Sequence, residues 1–257
     1  MTKCVALTRA VSDSIADCQL THVVRKPIDL NRARLQHSAY ERALEAAGCE
    51  VVRVDADHDL PDAVFVEDAA VVLPELAILT RPGARSRRPE IAAVAGVLGR
   101  YRQVFPIESP STIDGGDVLV AGRHVFIGRT SRTDGTAIAK VRSILEPIGY
   151  RVQPVRVSGC LHLKSAVTAL ADDRLLINPA WARPELFDGF DLVEIDADEP
   201  HAANVVRAGT RLIYPDAFPK TRKRLEALGL EVDAVDVSEL AKAEGAVTCC
   251  SVIFESA

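Results

Sequence analysis

One local pattern recurs along this chain: an amphipathic helix ends in glycine, and a short β-branched strand follows. Gly48 precedes Glu50-Val51-Val52-Arg53-Val54, Gly149 precedes Tyr150-Arg151-Val152-Gln153-Pro154-Val155, and Gly229 precedes Glu231-Val232-Asp233-Ala234-Val235. Glycine stops a helix readily because it turns left-handed without a Cβ penalty. Pairs of short strand-like runs stand before several of these helices. The spacing predicts a repeated ββαβ unit of roughly 50 residues, and about five such units fit the chain. A Rossmann-like sheet also produces helix–glycine–strand units. The chain has no G-x-G-x-x-G and no P-loop, so a nucleotide site lacks support.

Strand-like runs cover 5–9, 50–54, 69–73, 77–81, 104–107, 118–120, 125–127, 152–157, 165–170, 175–177, 192–195, 203–206, 212–214, 231–235 and 247–254. Helical patterns cover 31–47, 89–101, 134–148 and 219–228. No linker or low-complexity segment divides them, so residues 1–257 read as one α/β domain. The net charge of -5 gives no basic field for nucleic acid or an anionic membrane. Arg81, Arg85, Arg87 and Arg88 cluster, but Pro82, Gly83 and Pro89 interrupt them. No apolar run approaches the ~18 residues of a membrane span, and the N-terminus lacks the pattern of a signal peptide. The six cysteines, at 4, 18, 49, 160, 249 and 250, form no C-x-x-C pair. A chain of this size needs no disulfide staples, so reduced thiols in a cytoplasm are expected.

Four segments carry candidate chemistry. Cys249 and Cys250 stand together in an apolar, β-branched run that reads as a buried strand. Alternation along a strand would send one thiol into the core and the other into a site. Leu60-Pro61-Asp62-Ala63-Val64-Phe65-Val66-Glu67-Asp68 places carboxylates beside an apolar triplet. It is either a turn with solvated acids or a pocket for a cation. Asp114-Gly115-Gly116-Asp117 suits a hairpin turn or a close backbone approach to a ligand. In Cys160-Leu161-His162-Leu163-Lys164-Ser165, a strand would put Leu161 and Leu163 on one face and His162 and Lys164 on the other. Cysteine, histidine and acid together form the constellation of thiol nucleophilic catalysis.

These motifs, with Thr80-Arg81-Pro82-Gly83-Ala84-Arg85-Ser86-Arg87-Arg88 and Thr248-Cys249-Cys250-Ser251, resemble the dimethylarginine dimethylaminohydrolase family of the guanidino-modifying, or pentein, superfamily. The likeness runs from residue 20 to residue 254. It implies a five-bladed α/β propeller of ββαβ units around a central polar channel. It also implies Cys249 as nucleophile, His162 as general acid and base, Asp114 as the acid beside the histidine, and Asp68, with Glu67 next to it, as the clamp on a guanidinium. Some members carry Glu where Asp114 stands. Arg87 and Arg132 match the pair that holds an α-carboxylate. Asp62 and the backbones of Leu20 and Ala243 match the α-amino end, and residues 12–22 match a lid. Glu244 stands where Asp is expected. Cys250 is left as a packing thiol.

The implied reaction converts Nω-methylated arginines to citrulline and an alkylamine. It requires no metal, nucleotide or flavin, although zinc at Cys249 would inhibit. The implied partner is a small-molecule substrate, with no nucleic acid or membrane, and the protein is a monomer or homodimer. The rivals are arginine deimination or amidino transfer on the same core, and a non-catalytic amino-acid or zinc-binding protein.

Overall fold

The structure, a computed structural model, describes residues 3–256. Fifteen strands form five three-stranded sheets. The first sheet holds β1 (Lys3–Arg9), β2 (Cys49–Val54) and β15 (Val252–Ser256). The second holds β3 (Ala70–Val72), β4 (Ala77–Leu79) and β5 (Val104–Pro106), and the third β6 (Val118–Ala121), β7 (His124–Arg129) and β8 (Arg151–Arg156). The fourth holds β9 (Val167–Ala169), β10 (Arg174–Ile177) and β11 (Asp191–Glu194), and the fifth β12 (Val206–Ala208), β13 (Arg211–Pro215) and β14 (Glu231–Val235).

Every sheet has the same grammar. Its middle strand runs antiparallel to the strand before it and parallel to the strand after it. A parallel partner needs a crossover, and a helix usually supplies it. Here the crossovers are α1 (Leu30–Ala46), α2 (Ile91–Leu98), α3 (Gly135–Leu145) and, in the fifth sheet, α5 (Pro219–Ala227). The fourth unit crosses on a single 3₁₀ turn, Pro184–Phe187, which is why its helix is missing from the sequence pattern. Two further one-turn helices, α4 (Leu163–Ala166) and α6 (Ser238–Ala241), lie outside the crossovers. Among the described residues no helix is long and apolar enough to cross a membrane.

The ring closes where the last strand meets the first. β15 pairs with β1 from Lys3↔Ser256 to Leu7↔Val252. The first strand of each unit faces the axis. β3, β6, β9, β12 and β15 together line a channel of about 220 Å³, where valines mix with Glu67, Lys164, Thr168, Arg207, Thr248 and Ser251. Buried clusters fill the spaces between the sheets and around the helices. In one of them the Tyr40 hydroxyl and Ser251 Oγ lie 2.6 Å apart, tying α1 to the turn before β15.

Several expectations need correction. Residues 247–254 are not one strand: Thr248–Cys250 is a 3₁₀ turn, and β15 starts at Val252. Residues 161–164 are not a strand either, because His162 is the N-cap residue of α4. The run at 203–206 pairs only from Val206 onward. Cys4 and Cys49 are not free thiols but a disulfide. The parallel register sets these two residues opposite each other on β1 and β2, a proximity that composition cannot reveal.

Leu7 on β1 is fully buried, whereas Leu35 on α1 is 70% exposed. Leu7→Ala is therefore expected to cost ~2–5 kcal/mol in chemical denaturation, and Leu35→Ala less than ~0.5 kcal/mol. Equal losses would contradict this packing.

Candidate active site

The chemistry-bearing residues stand at equivalent places in the repeat, just before the first strand of each unit. Glu67 and Asp68 occupy the 3₁₀ turn Val66–Ala69 ahead of β3. Asp114 caps the 3₁₀ turn Gly115–Asp117 ahead of β6. His162 caps α4 ahead of β9, Asn204 lies two residues before β12, and Cys249 sits on the turn before β15. Strands directed to one axis thus bring five short turns together. Two glycines permit the crowding: a Cβ on Gly115 would lie 2.0 Å from the Glu67 carbonyl oxygen, and one on Gly116 would lie 2.6 Å from His162 Nδ1.

His162 is buried between two carboxylates. Its Nε2 lies 3.0 Å from Asp114 Oδ2, and its Nδ1 lies 3.9 Å from Asp68 Oδ1. Burial by itself lowers the histidine pKa, but Asp68, the hydrogen bond to Asp114 and the charge of Asp117 outweigh it and push His162 up to about 9. For Asp68, burial favours the neutral acid, yet His162 and Arg87 hold it at about 2. Asp68 also accepts from the Gly116 amide at 2.9 Å, and the Asp114 carboxylate accepts from Gly83 N at 2.8 Å. Asp117 is wholly buried, and burial raises it to about 6 against the opposing pull of His162. It accepts from the Thr130 and Thr133 hydroxyls, each at 2.6 Å, and from Leu163 N at 3.0 Å. Asp117 therefore pins the residue after His162.

Cys249 Sγ accepts from the Ala246 amide at 3.4 Å. Burial, reinforced by the charges of Glu67 and Asp68, pushes this thiol up to about 12. Behind it a buried polar network holds the turn. Thr248 Oγ1 donates to Glu67 at 2.8 Å, Lys164 Nζ pairs with Glu67 at 2.7 Å, and the Asn204 amide brackets the Thr248 backbone and hydroxyl at 3.0 and 2.9 Å.

Cys249, His162, Asp68, Asp62, Arg87, Arg132 and Ala243 line one cavity with Gln19, Phe65, Leu161 and Glu244. Its free space is about 20 Å³, room for roughly one water. Residues 19–22 close it. Asp62 accepts from Gln19 N at 3.1 Å, and Arg132 Nη2 donates to Thr21 Oγ1 at 3.0 Å. The Glu244 carboxylate takes the amides of Thr21 and His22 at 2.6 and 2.5 Å. Glu244 holds a φ of +60° to do so, a conformation that is uncommon outside glycine.

No family model matches the chain. A dimethylarginine dimethylaminohydrolase of Streptomyces coelicolor is 44% identical over 249 residues, 96% of this chain and 95% of its own length. Its namesake from Pseudomonas aeruginosa is 35% identical over 96% of this chain and 98% of its own. The chain belongs to the dimethylarginine dimethylaminohydrolase family. A solved structure of the Pseudomonas aeruginosa enzyme, a cysteine-to-serine variant complexed with citrulline, superposes with a TM-score of 0.93 at 35% identity, covering 99% of this chain and 100% of that one. The N-terminal domain of ArgZ, an arginine dihydrolase of cyanobacteria, reaches 0.86 at 19% identity over 98% of this chain and 97% of its own, a likeness of fold. The five three-stranded units form the pentein propeller.

Within this dimethylarginine dimethylaminohydrolase family member, most of the sequence-predicted residues converge. Asp114 reaches the cavity through His162. Leu20 does not line it; its side chain packs on the core beside α1, while its neighbour Gln19 faces the cavity. Glu67 lies behind Cys249, turned toward the channel. Arg87 is buried and heavily committed: Nε and Nη2 donate to Glu90, Nη2 also to the Asp62 and Phe65 carbonyls, and Nη1 to Asp68. Cys250 is fully buried in the core, so the two thiols diverge as expected, but on a turn rather than a strand. Asn204, Thr248 and Glu90 escaped the sequence reading. The first had a signal, a lone amide in the apolar run Ala202-Ala203-Asn204-Val205-Val206.

With its folded pKa above the unfolded value, His162 adds stability that is complete below ~6.5 and lost as pH rises through about 9. Titration of its ring nitrogens by NMR is expected to give a midpoint near 9, moving down in Asp114→Asn. A midpoint at or below ~6.5 would contradict this electrostatic arrangement.

Proposed function

We propose that the protein hydrolyses Nω-methylated arginines to citrulline plus dimethylamine or methylamine. The observation that carries this reading is the meeting of Cys249, His162 and Asp68 on one small cavity, with Asp114 on the far side of the imidazole. A guanidinium is a poor electrophile because resonance spreads its charge. Asp68 would fix the planar cation through charge-assisted hydrogen bonds, and so hold its carbon near Cys249 Sγ.

The protonation states suit that task. Cys249 rests as a thiol, since burial and the Glu67 and Asp68 charges raise it to about 12. A bound cation opposes those charges and favours the thiolate, the thiol proton passing to solvent. Attack forms a C–S bond and a tetrahedral adduct. His162, an imidazolium at neutral pH, gives its proton to the departing alkylamine as the C–N bond breaks. An S-alkylthiouronium then remains on Cys249. His162, now neutral, takes a proton from water, which attacks the same carbon; as the C–S bond breaks, the adduct's hydroxyl proton passes to the departing Cys249 sulfur, and citrulline leaves. Water is the only co-reactant.

The other assignments follow in the same reading. Arg132, whose guanidinium donates to Thr21, would hold the α-carboxylate, with Arg87 adding its remaining Nη1 hydrogen. Asp62 with the backbones around Gln19, Leu20 and Ala243 would receive the α-amino group. Glu67 would act on Cys249 from behind rather than on substrate. A cavity of about 20 Å³ excludes an amino acid of this size, so residues 12–22 would open before binding. Asp68, Asp114 and His162 offer three donor atoms within 4.8 Å of one another; an inhibitory zinc would engage them with Cys249. The protein would work in the cytoplasm, as a monomer or homodimer.

The test is citrulline release from asymmetric dimethylarginine, monomethylarginine and arginine. Methylated substrates are expected to dominate, and Cys249→Ser to lower kcat by about 10³-fold or more. The rate should fall above pH ~9 as the imidazolium is lost. Arginine as the best substrate by a wide margin, or a fully active Cys249→Ser, would refute the proposal.

A further inference from the structure

A second cavity, outside the reaction site, has the chemistry of an anion receptor. It lies beyond the ends of β7 and β8 as an open depression of about 510 Å³, bordered by Arg129, Thr130, Ser131, Thr133, Asp134 and Arg156. Arg129 and Arg156 occupy matched positions of the parallel register. Their side chains therefore leave the same face of adjacent strands, which lie ~4.8 Å apart. Both are exposed, and among the described residues neither has a carboxylate within ion-pair distance.

Two other arginines at matched parallel positions face a carboxylate. Arg174 faces Asp191 and pairs with it at 2.6 Å; Arg211 faces Glu231 and pairs with it at 3.3 Å. Among the described residues arginine faces arginine only in the third sheet. Like charges set opposite each other on neighbouring strands are destabilising, so the pair invites a counter-charge from outside. The one carboxylate on the border, Asp134, is already engaged: it takes the amides of Thr112 and Ala137 and the hydroxyls of Thr112 and Thr136. The Thr130 and Thr133 hydroxyls donate inward to Asp117, which leaves Ser131 as the exposed hydroxyl beside the two guanidiniums.

We propose that Arg129 and Arg156 form a binding site for a phosphate group, either free or carried on a small metabolite. Two guanidinium forks match the several oxygens of a dianion better than those of a single carboxylate. The site is separate from the catalytic cavity, although loop 130–133 borders both and Arg132 points into the other one.

Calorimetric titration of the full-length protein with inorganic phosphate, and in parallel with glycerol phosphate, tests this. One saturable site is expected, with at least tenfold weaker binding in R129Q/R156Q. Arg132→Gln should bind phosphate within twofold of the parent. Citrulline production without phosphate should be the same in R129Q/R156Q as in the parent, which also shows that the variant is folded. Tighter binding of the ester than of inorganic phosphate would support a phosphorylated metabolite; the reverse would support the free ion. No saturable binding, equal binding by R129Q/R156Q, or loss in Arg132→Gln alone would overturn the proposal.

Discussion

A buried imidazolium held between Asp68 and Asp114 is the interaction on which the rest of the site depends. Removing a charge from water is costly unless it is paired and hydrogen-bonded. His162 meets that cost with two carboxylates, and Asp68 in turn is held by Arg87 and the Gly116 amide. Arg87 is balanced by Glu90, so the positive and negative charges alternate from Glu90 through Arg87, Asp68 and His162 to Asp114. Truncating one member leaves its neighbour as an uncompensated buried charge, the costly case for such networks. Asp68 and His162 of this series share the small cavity with Cys249, whose thiol is held protonated by burial and by the Glu67 and Asp68 charges.

The fold makes this alternation affordable by symmetry. Each unit contributes the turn before its first strand, so acids, histidine, amide and cysteine arrive from five separate stretches of sequence at one end of the axis. Helices or turns on the outside and valine-rich strands inside supply apolar burial, while ring closure through β1 and β15 fixes the last turn, and with it Cys249, against the first sheet. Cys249, on the turn just before β15, takes its position from this closure. It is locked by pairing with a strand from the other end of the chain rather than by neighbours in sequence.

Much of this was legible in the residues. Gly48, Gly149 and Gly229, each at positive φ, marked the repeat correctly, and all fifteen strand-like runs fall on or beside observed strands. The candidate site residues came from motifs, and the local structure expected around His162 and Cys249 was a strand where the structure has turns. The alternating segment 161–165 and the apolar run 247–254 looked extended, but α4 begins at Leu163 and a 3₁₀ turn takes Thr248–Cys250 before the strand starts at Val252. Contacts between distant segments left no local trace. The Cys4–Cys49 bond, the bracketing of Thr248 by Asn204 and the engagement of Arg87 by Asp68 all depend on register or on turns meeting at the axis.

The central claim is that one thiol carries the guanidino carbon through a covalent state. Mass spectrometry of protein quenched during turnover of asymmetric dimethylarginine tests it most directly. The account predicts a transient mass gain equal to the substrate less its dimethylamine, located by peptide mapping on Cys249 and absent in Cys249→Ser. Sustained turnover with no adduct on the protein, or an adduct on Cys250 or Cys160 instead, would contradict it.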